Sequence, residues 1–402
     1  MRSTLVILLF AAVGVAGPNP GEEGTPEFQK AAALVKQLGD KRYATREAAA
    51  KQLIEMGPAA VPALTAGTKS EDEEVRNRSV ALLPQAKAAA WKRRAAVYLA
   101  DTEGKQKHDL PLVDEWEKLI GKPDAGARRL FAEMVKTNGE MLDKATDRRV
   151  ATTTCTARCK VVLAQARGPK GQIKAEIGDV AAILFVDTLV PTRSDWSTRA
   201  FPAQLLANPT AAETVGDADM GPAFRHLVVK WMQAREKNDP TAGQQFALFA
   251  RKKPFAEAAP ALIKLAKDKT ADVFTVRVLA IEALGKVGGK DAAAALADLV
   301  PETTNLFGGG EDQIRVGDVA LAASLTMHGK KLSDFGMHNN FGIGFSAGDG
   351  DEPISITLHG FQNQGAREKA VKKWKEEVVE KKEAKKEEKK EVKKEEKKDE
   401  KR

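Results

Sequence analysis

Cys155 and Cys159 are the two cysteines of a 402-residue chain, and their spacing governs what they can do. A local disulfide is the first chemistry such a pair offers in an oxidising compartment. On an ideal helix, Cβ atoms four residues apart lie about 5–6 Å from each other, beyond the ~3.5–4.5 Å that a disulfide needs. A bridge between Cys155 and Cys159 therefore requires a loop or distorted turn, and Thr152-Thr153-Thr154 just before the pair is consistent with a weakened helix. A second chemistry is suggested by Gly344-Phe345-Ser346-Ala347-Gly348, which fits the G-x-S-x-G nucleophile elbow, with Asp349, Asp351 and His359 following. That motif works only on a sharp turn between a core strand and a helix. The flanks, Asn339 to Ile343 and Asp349 to Pro353, offer neither, so the stretch reads as a Gly-rich loop. Its Asp349-Gly350-Asp351-Glu352 lacks the spaced acids of a calcium loop, as do Asp217 and Asp219. The five histidines, at 108, 226, 328, 338 and 359, show no metal-binding spacing, and two thiols cannot make a four-thiolate zinc site. No catalytic residue, metal or cofactor is expected.

The elements that would position any of these residues are helices. Phe28, Ala32, Val35 and Leu38 mark one apolar face, which Gly39-Asp40 ends. Arg46 to Met56 carries the next helix, stopped by Gly57, and Pro58 opens another. Ser70 followed by four carboxylates predicts a capped helix start, since acids favour the positive end of the macrodipole. Trp116 and Trp231 stand at helical spacing from leucines and are expected in the core. No convincing run of alternating β-branched residues precedes residue 340.

These helices echo one another. Val75-Arg76 precedes Val80 and Leu83, Val276-Arg277 precedes Ile281 and Leu284, and Ile314-Arg315 precedes Val319 and Ala322. Arg46 precedes Leu53 at the same interval, and two openers match: Val61-Pro62-Ala63-Leu64 and Ala259-Pro260-Ala261-Leu262. The phrase suits a pair of antiparallel helices, with proline in the first and arginine in the first turn of the second. Residues 260–288 and 26–88 resemble HEAT and HEAT-like repeats, and the arrangement is similar to exported bacterial HEAT-repeat proteins. The resemblance implies an all-α, irregular α-solenoid of stacked helix pairs, with Arg46, Arg76, Arg277, Arg315, Pro62 and Pro260 as structural signature residues.

The two ends have a different character. Residues 1–16 are laid out as a secretory signal peptide: Arg2, a short apolar run, then Gly14-Val15-Ala16 for cleavage. Lys372 to Arg402 holds 15 basic and 11 acidic residues. Like charges recur there every fourth residue, which weakens a helix, while Glu-to-Lys pairs three apart support one. The expected organisation is a signal peptide (1–16), a linker (17–25), HEAT-like helices (26–100), an irregular helical region (101–254) and further repeats (255–335). A Gly-rich irregular segment (336–365) and a Lys/Glu-rich, partly helical or disordered tail (366–402) complete it.

The formal charge of +8 is mostly an end effect, because Arg2 contributes one unit and the tail four. That leaves a nearly balanced body and disfavours nucleic-acid binding. With aromatics at 5% and hydrophobics at 43%, the chain is not an aromatic-lined carbohydrate binder or an integral membrane protein. The reading is an exported, non-enzymatic protein-interaction scaffold of the periplasm, cell envelope or secreted space, binding protein partners, with weak contact of the tail to anionic envelope polymers. A HEAT-like lyase acting on a protein-bound ligand and a nucleic-acid-binding helical-repeat protein are the alternatives.

Overall fold

The structure is a computed structural model that describes residues 25–121, 124–166, 175–190, 201–235, 239–309, 313–345 and 354–380. The expected signal peptide and residues 381–402 lie outside the described residues. The described chain is mostly helical and separates into two compact units, one ending at Pro111 and the other beginning at Leu112. No helix among the described residues is long and apolar enough to cross a membrane.

The first unit holds α1 (Pro26–Gln37), α2 (Tyr43–Met56), α3 (Ala60–Gly67) and α4 (Glu73–Ala100). α1 packs on α2 and α3, and α4 packs on α2 and α3, around a core that includes Leu34, Leu38, Leu53 and Leu64. Gly67 is where the packing is tightest: an added Cβ would lie 2.4 Å from Ser79 Oγ and 2.8 Å from Val35 Cγ1. The cap of α4 is Asp72, which accepts from the backbone N–H groups of Glu74 and Val75, rather than Ser70. The carbonyl of Ser70 serves Arg76 instead.

Both signature arginines of this unit do one job. Arg46 Nη1 donates to the carbonyls of Asp40 and Lys41, at 2.8 and 3.2 Å. Arg76 Nη1 donates to those of Ser70 and Glu71, at 2.8 and 3.3 Å. Each guanidinium in a first turn thus ties off carbonyls of the connection before it, groups that a turn would otherwise leave to water. Pro62 sits in the first turn of α3, as proline should.

The second unit opens with α5 (Val113–Ile120), α6 (Ala125–Ala145), α7 (Arg148–Ala166) and α8 (Ile177–Leu189). α8 is buried on nearly every side, so its sequence is apolar all round. α6, α7 and α11 pack against it. Gly178 permits the approach of α6, since a Cβ there would fall 2.3 Å from the carbonyl oxygen of Glu133. Trp116 lies at 5.9 Å from Phe131 and edge-on to Phe185 at 5.5 Å, and its Nε1 donates to the Ala127 carbonyl.

Short helices α9 (Phe201–Gln204) and α10 (Pro209–Val215) lead to α11 (Gly221–Arg235) and α12 (Pro240–Lys252). Next come α13 (Ala259–Lys267), α14 (Val278–Val287), α15 (Gly289–Leu299) and α16 (Val316–Met327). α14 packs between α12 and α16, while α13 packs on α15. α13 also touches α14, and α15 touches α16, so consecutive helices pair. Pro260 stands in the first turn of α13. Arg277 is buried; its Nε donates to the Ala266 carbonyl at the end of α13, and its Nη2 pairs with Glu302 at 2.7 Å.

Two expectations are corrected at the end of the described chain. Arg315 is not in a helix: Ile314–Arg315 is strand β2, paired antiparallel with β1 (Asn305–Phe307), and Arg315 caps α16. The described part of the segment expected to be irregular is not so throughout, because β3 (His338–Phe345) and β4 (Ile354–Gly360) form an antiparallel pair with a shift between Asn339 and Phe341. Ile354-Ser355-Ile356-Thr357-Leu358 alternates with the period of two that a strand requires. β4 packs on α16. The charged segment then begins as a docked helix, α17 (Gln364–Trp374), continued by a wider turn over Lys375–Glu380. Arg367, Ala370, Trp374 and Val378 are buried, and their three- and four-residue spacing supplies the seam that docks it.

Candidate functional site

Where α12, α14 and α16 lie side by side, Arg251, Glu282 and Lys286 meet. Arg251 comes from the last turn of α12, while Glu282 and Lys286 sit one turn apart on α14. Arg251 Nε lies 2.6 Å from Glu282 Oε2, and both side chains are about one-fifth exposed, at 22% and 19%. The groups line a cavity of about 160 Å³ whose other walls include Gly285, Ala322, Leu358 and His359. Its floor is made of small residues because α14 and α16 approach closely: a Cβ on Gly285 would stand 3.0 Å from Ala323 Cβ.

The electrostatics of this notch are set by desolvation. Burial pushes the Glu282 carboxyl above the usual carboxylate range, with the Arg251 charge opposing it. Burial also lowers the Lys286 ammonium, and repulsion from Arg251 adds to that effect. Among the described residues that line the recess, Arg251 and Lys286 thus flank one half-buried carboxylate. The arrangement suits acceptance of a further carboxylate oxygen, such as an acidic side chain presented from outside.

A second cluster is sealed from solvent. Arg235 Nε lies 3.0 Å from Asp187 Oδ2, Trp231 Nε1 donates to the same oxygen at 2.7 Å, and Arg235 Nη2 lies 3.6 Å from Asp239 Oδ2. Arg235 is 1% exposed and Asp187 fully buried, so this is an internal tie between α8, α11 and the start of α12. Asp179 is tied in the same way by Arg158 Nη2 at 2.6 Å and by Asn138 Nδ2 at 2.9 Å. Both carboxylates are buried, although Arg158 keeps 31% of its side chain exposed.

Cys155 and Cys159 lie close to Asp187 and Arg235, and their candidate disulfide is corrected here. Both are free and buried, on successive turns of an α7 helix that continues through the pair. The condition for a bridge, a loop or broken turn, is therefore not met. Cys155 Sγ instead faces the Ile183 carbonyl at 3.6 Å. Burial raises both thiols well above their usual range, and the negative charge of Asp187 raises them further. Thiols held protonated in this way are poor nucleophiles.

Other residues with chemical promise have structural work. Asp217 accepts from the N–H groups of Asp219 and Met220, which holds its carboxyl below the usual range and starts α11. His328 closes α16, its Nδ1 at 2.7 Å from the Ser324 carbonyl. Ser346, Asp349, Asp351 and Glu352 lie outside the described residues. β3 does precede Ser346, contrary to the sequence reading, but the next described element is its own antiparallel partner and not a helix. Among the described residues, no cluster of three His, Cys, Asp or Glu side chains is arranged to hold a metal ion.

No protein-family model matches the chain, and no similar curated protein or solved structure was found. The notch thus stands on its geometry alone. Sequence reasoning missed it, because Arg251 is 31 residues from Glu282 and belongs to no motif. Glu282 and Lys286, four apart, carry only the signal of an ordinary surface pair.

Proposed function

We propose that the chain is an exported helical-repeat protein that acts as a non-enzymatic protein-interaction scaffold in the cell envelope. The observation that carries this reading is the side-by-side packing of α12, α14 and α16, with α13 and α15 forming a second layer. Stacked helix pairs present a continuous face built from consecutive units, and such faces suit extended partners. The HEAT-like phrasing of residues 260–288 supports the same solenoid arrangement, and α1 to α4 repeat the pairing in the first unit. The Arg251–Glu282–Lys286 notch gives the face a polar recess in which an acidic side chain of a partner can anchor. Export rests on the layout of residues 1–16.

Photo-crosslinking tests the reading. A benzophenone residue placed at Thr326, exposed on the rim of the notch, should give discrete protein adducts in envelope fractions. The same group at Asp298, on the other layer, should give fewer. Equal or absent adducts at the two positions would count against the scaffold. Recovery of the full-length chain only from the cytoplasm would remove the envelope assignment.

A further inference from the structure

A larger groove lies between the end of α15 with the following Val300–Thr303 segment and the side of α17 that carries Glu368, Val371, Lys372 and Lys375, reaching in to the buried Arg367 and Trp374. Its volume is about 700 Å³, within the ~300–1,000 Å³ range of small-molecule sites. Val300, Pro301, Val371, Trp374 and Val379 supply apolar wall. The charges along it fall into two groups. Asp318 is matched by Arg367 at 2.9 Å, and Glu302 by Arg277 at 2.7 Å, so these pairs cancel.

Arg315, Lys372 and Lys375 remain, against Glu368 alone. None of these three cations has an ion pair with a carboxylate among the described residues. Among the described residues that line the trough, three positive charges less one negative leave an excess of two positive charges on its rim. Glu368 is itself engaged by the Gln364 side-chain amide at 2.9 Å. Lys372 and Lys375 are exposed, so their ammonium groups are free to close on a ligand.

We infer that this groove binds a long-chain carboxylate, its head at Arg315, Lys372 and Lys375 and its chain along Val371, Trp374 and Val379. The match is one of charge and polarity together. A cationic rim alone would take any anion, and an apolar wall alone would take any hydrocarbon. The combination selects a molecule with one anionic end and an extended apolar body. The inference does not depend on the scaffold reading, because the groove involves none of the notch residues.

The test is calorimetric titration of the full chain with decanoate and dodecanoate below their micellar concentrations, with dodecyltrimethylammonium as a cationic control. Each additional buried methylene should tighten binding about fourfold, so dodecanoate should bind roughly fifteenfold better than decanoate. The double variant Lys372→Gln/Lys375→Gln should weaken dodecanoate binding at least about tenfold with an unchanged melting temperature, since both residues are exposed. Val371→Asp, which places an acid on the wall, should abolish it. Absence of dodecanoate binding to the native chain would overturn the inference. So would equal binding of the cationic detergent, equal affinity for the two carboxylates, or an unchanged affinity in both variants.

Discussion

Arg367 on α17 reaches back to Asp318 on α16, donating Nε to Oδ1 at 2.9 Å and Nη2 to Oδ2 at 3.1 Å. Asp318 Oδ2 also accepts the Arg315 backbone N–H at 2.9 Å, and Arg367 Nη2 donates to the Gln313 carbonyl at 2.6 Å. One buried carboxylate thus joins α17, β2 and the start of α16. Both side chains are under one-tenth exposed, at 8% and 3%. Arg367→Met should therefore cost about 3–5 kcal/mol, because it strands a buried charge. Urea unfolding measures this, and Arg367→Met/Asp318→Asn should recover part of the loss. A single-variant loss under about 1 kcal/mol would show that the pair is not structural.

The two thiols should be silent in the folded protein. Burial and a protonated state both oppose attack, so a disulfide-exchange reagent should label Cys155 and Cys159 only as fast as the chain opens. Thiol counting with and without denaturant decides this. Rapid native labelling of either residue would contradict the geometry of α7.

Glu282 makes stability depend on pH in a direction that can be worked out. Its folded carboxyl titrates above its unfolded value, mainly through burial, so the native state holds the proton over the interval between the two. Stability from this group is therefore highest below the unfolded value and falls as pH rises through that interval. Glu282→Gln should flatten this part of the profile, measured as the difference in unfolding free energy between pH 4 and pH 7. A difference that grows in the opposite sense would mean that the Arg251 charge outweighs burial.

The matched arginines predict matched losses. Arg46→Ala and Arg76→Ala each remove a guanidinium bonded to two carbonyls, at closely similar distances. Each should cost about 1–2 kcal/mol, with Arg46 at the upper end, since its Nε also lies 3.4 Å from Glu74 and its guanidinium stands over the Tyr43 ring. Guanidinium chloride titration of the single variants is sufficient, and a several-fold disparity would argue that the two corners are not equivalent.

Gly67 and Ser79 offer a coupled test. Gly67→Ala places a methyl 2.4 Å from Ser79 Oγ and should cost about 1–3 kcal/mol through overpacking. Ser79→Ala removes that oxygen, which is buried without a hydrogen-bond partner among the described residues, and should be neutral or stabilising. The double variant should recover part of the loss, although the contact with Val35 persists. A strictly additive cycle would place the strain elsewhere.

Helical periodicity made most elements legible, because apolar spacing, proline starts and glycine stops are local signals. Phase was harder to read. Val80 belongs to the shared phrase yet is 55% exposed, while Ser79 beside it is fully buried. A polar residue at a tight crossing hides the true face of a helix. At Val276, Ile281 and Leu284 the same phrase does mark buried positions, because neighbours cover that helix on more sides. Arg315 kept the spacing of the phrase and changed its structure, since pairing of β2 with β1 won over the helical start. α17 was hidden by composition: Arg367 and Trp374 anchor it within a segment whose lysines dominate any average. The notch and the groove join residues distant in sequence, and no local rule reaches across such intervals.

The placement of β4 and α17 has a further consequence for assembly. A row of packed helices ends in an edge as apolar as its interior, and a second copy of the chain could add there, copy after copy. Here β4 lies on α16, and Trp374 Nε1 donates to Ser324 Oγ on that same helix at 3.0 Å. Lys373 meanwhile turns back onto the Asp334 carbonyl at 2.9 Å. Among the described residues, the chain's own strand and a charged helix thus cover part of the α16 edge, leaving less of it open to a second copy.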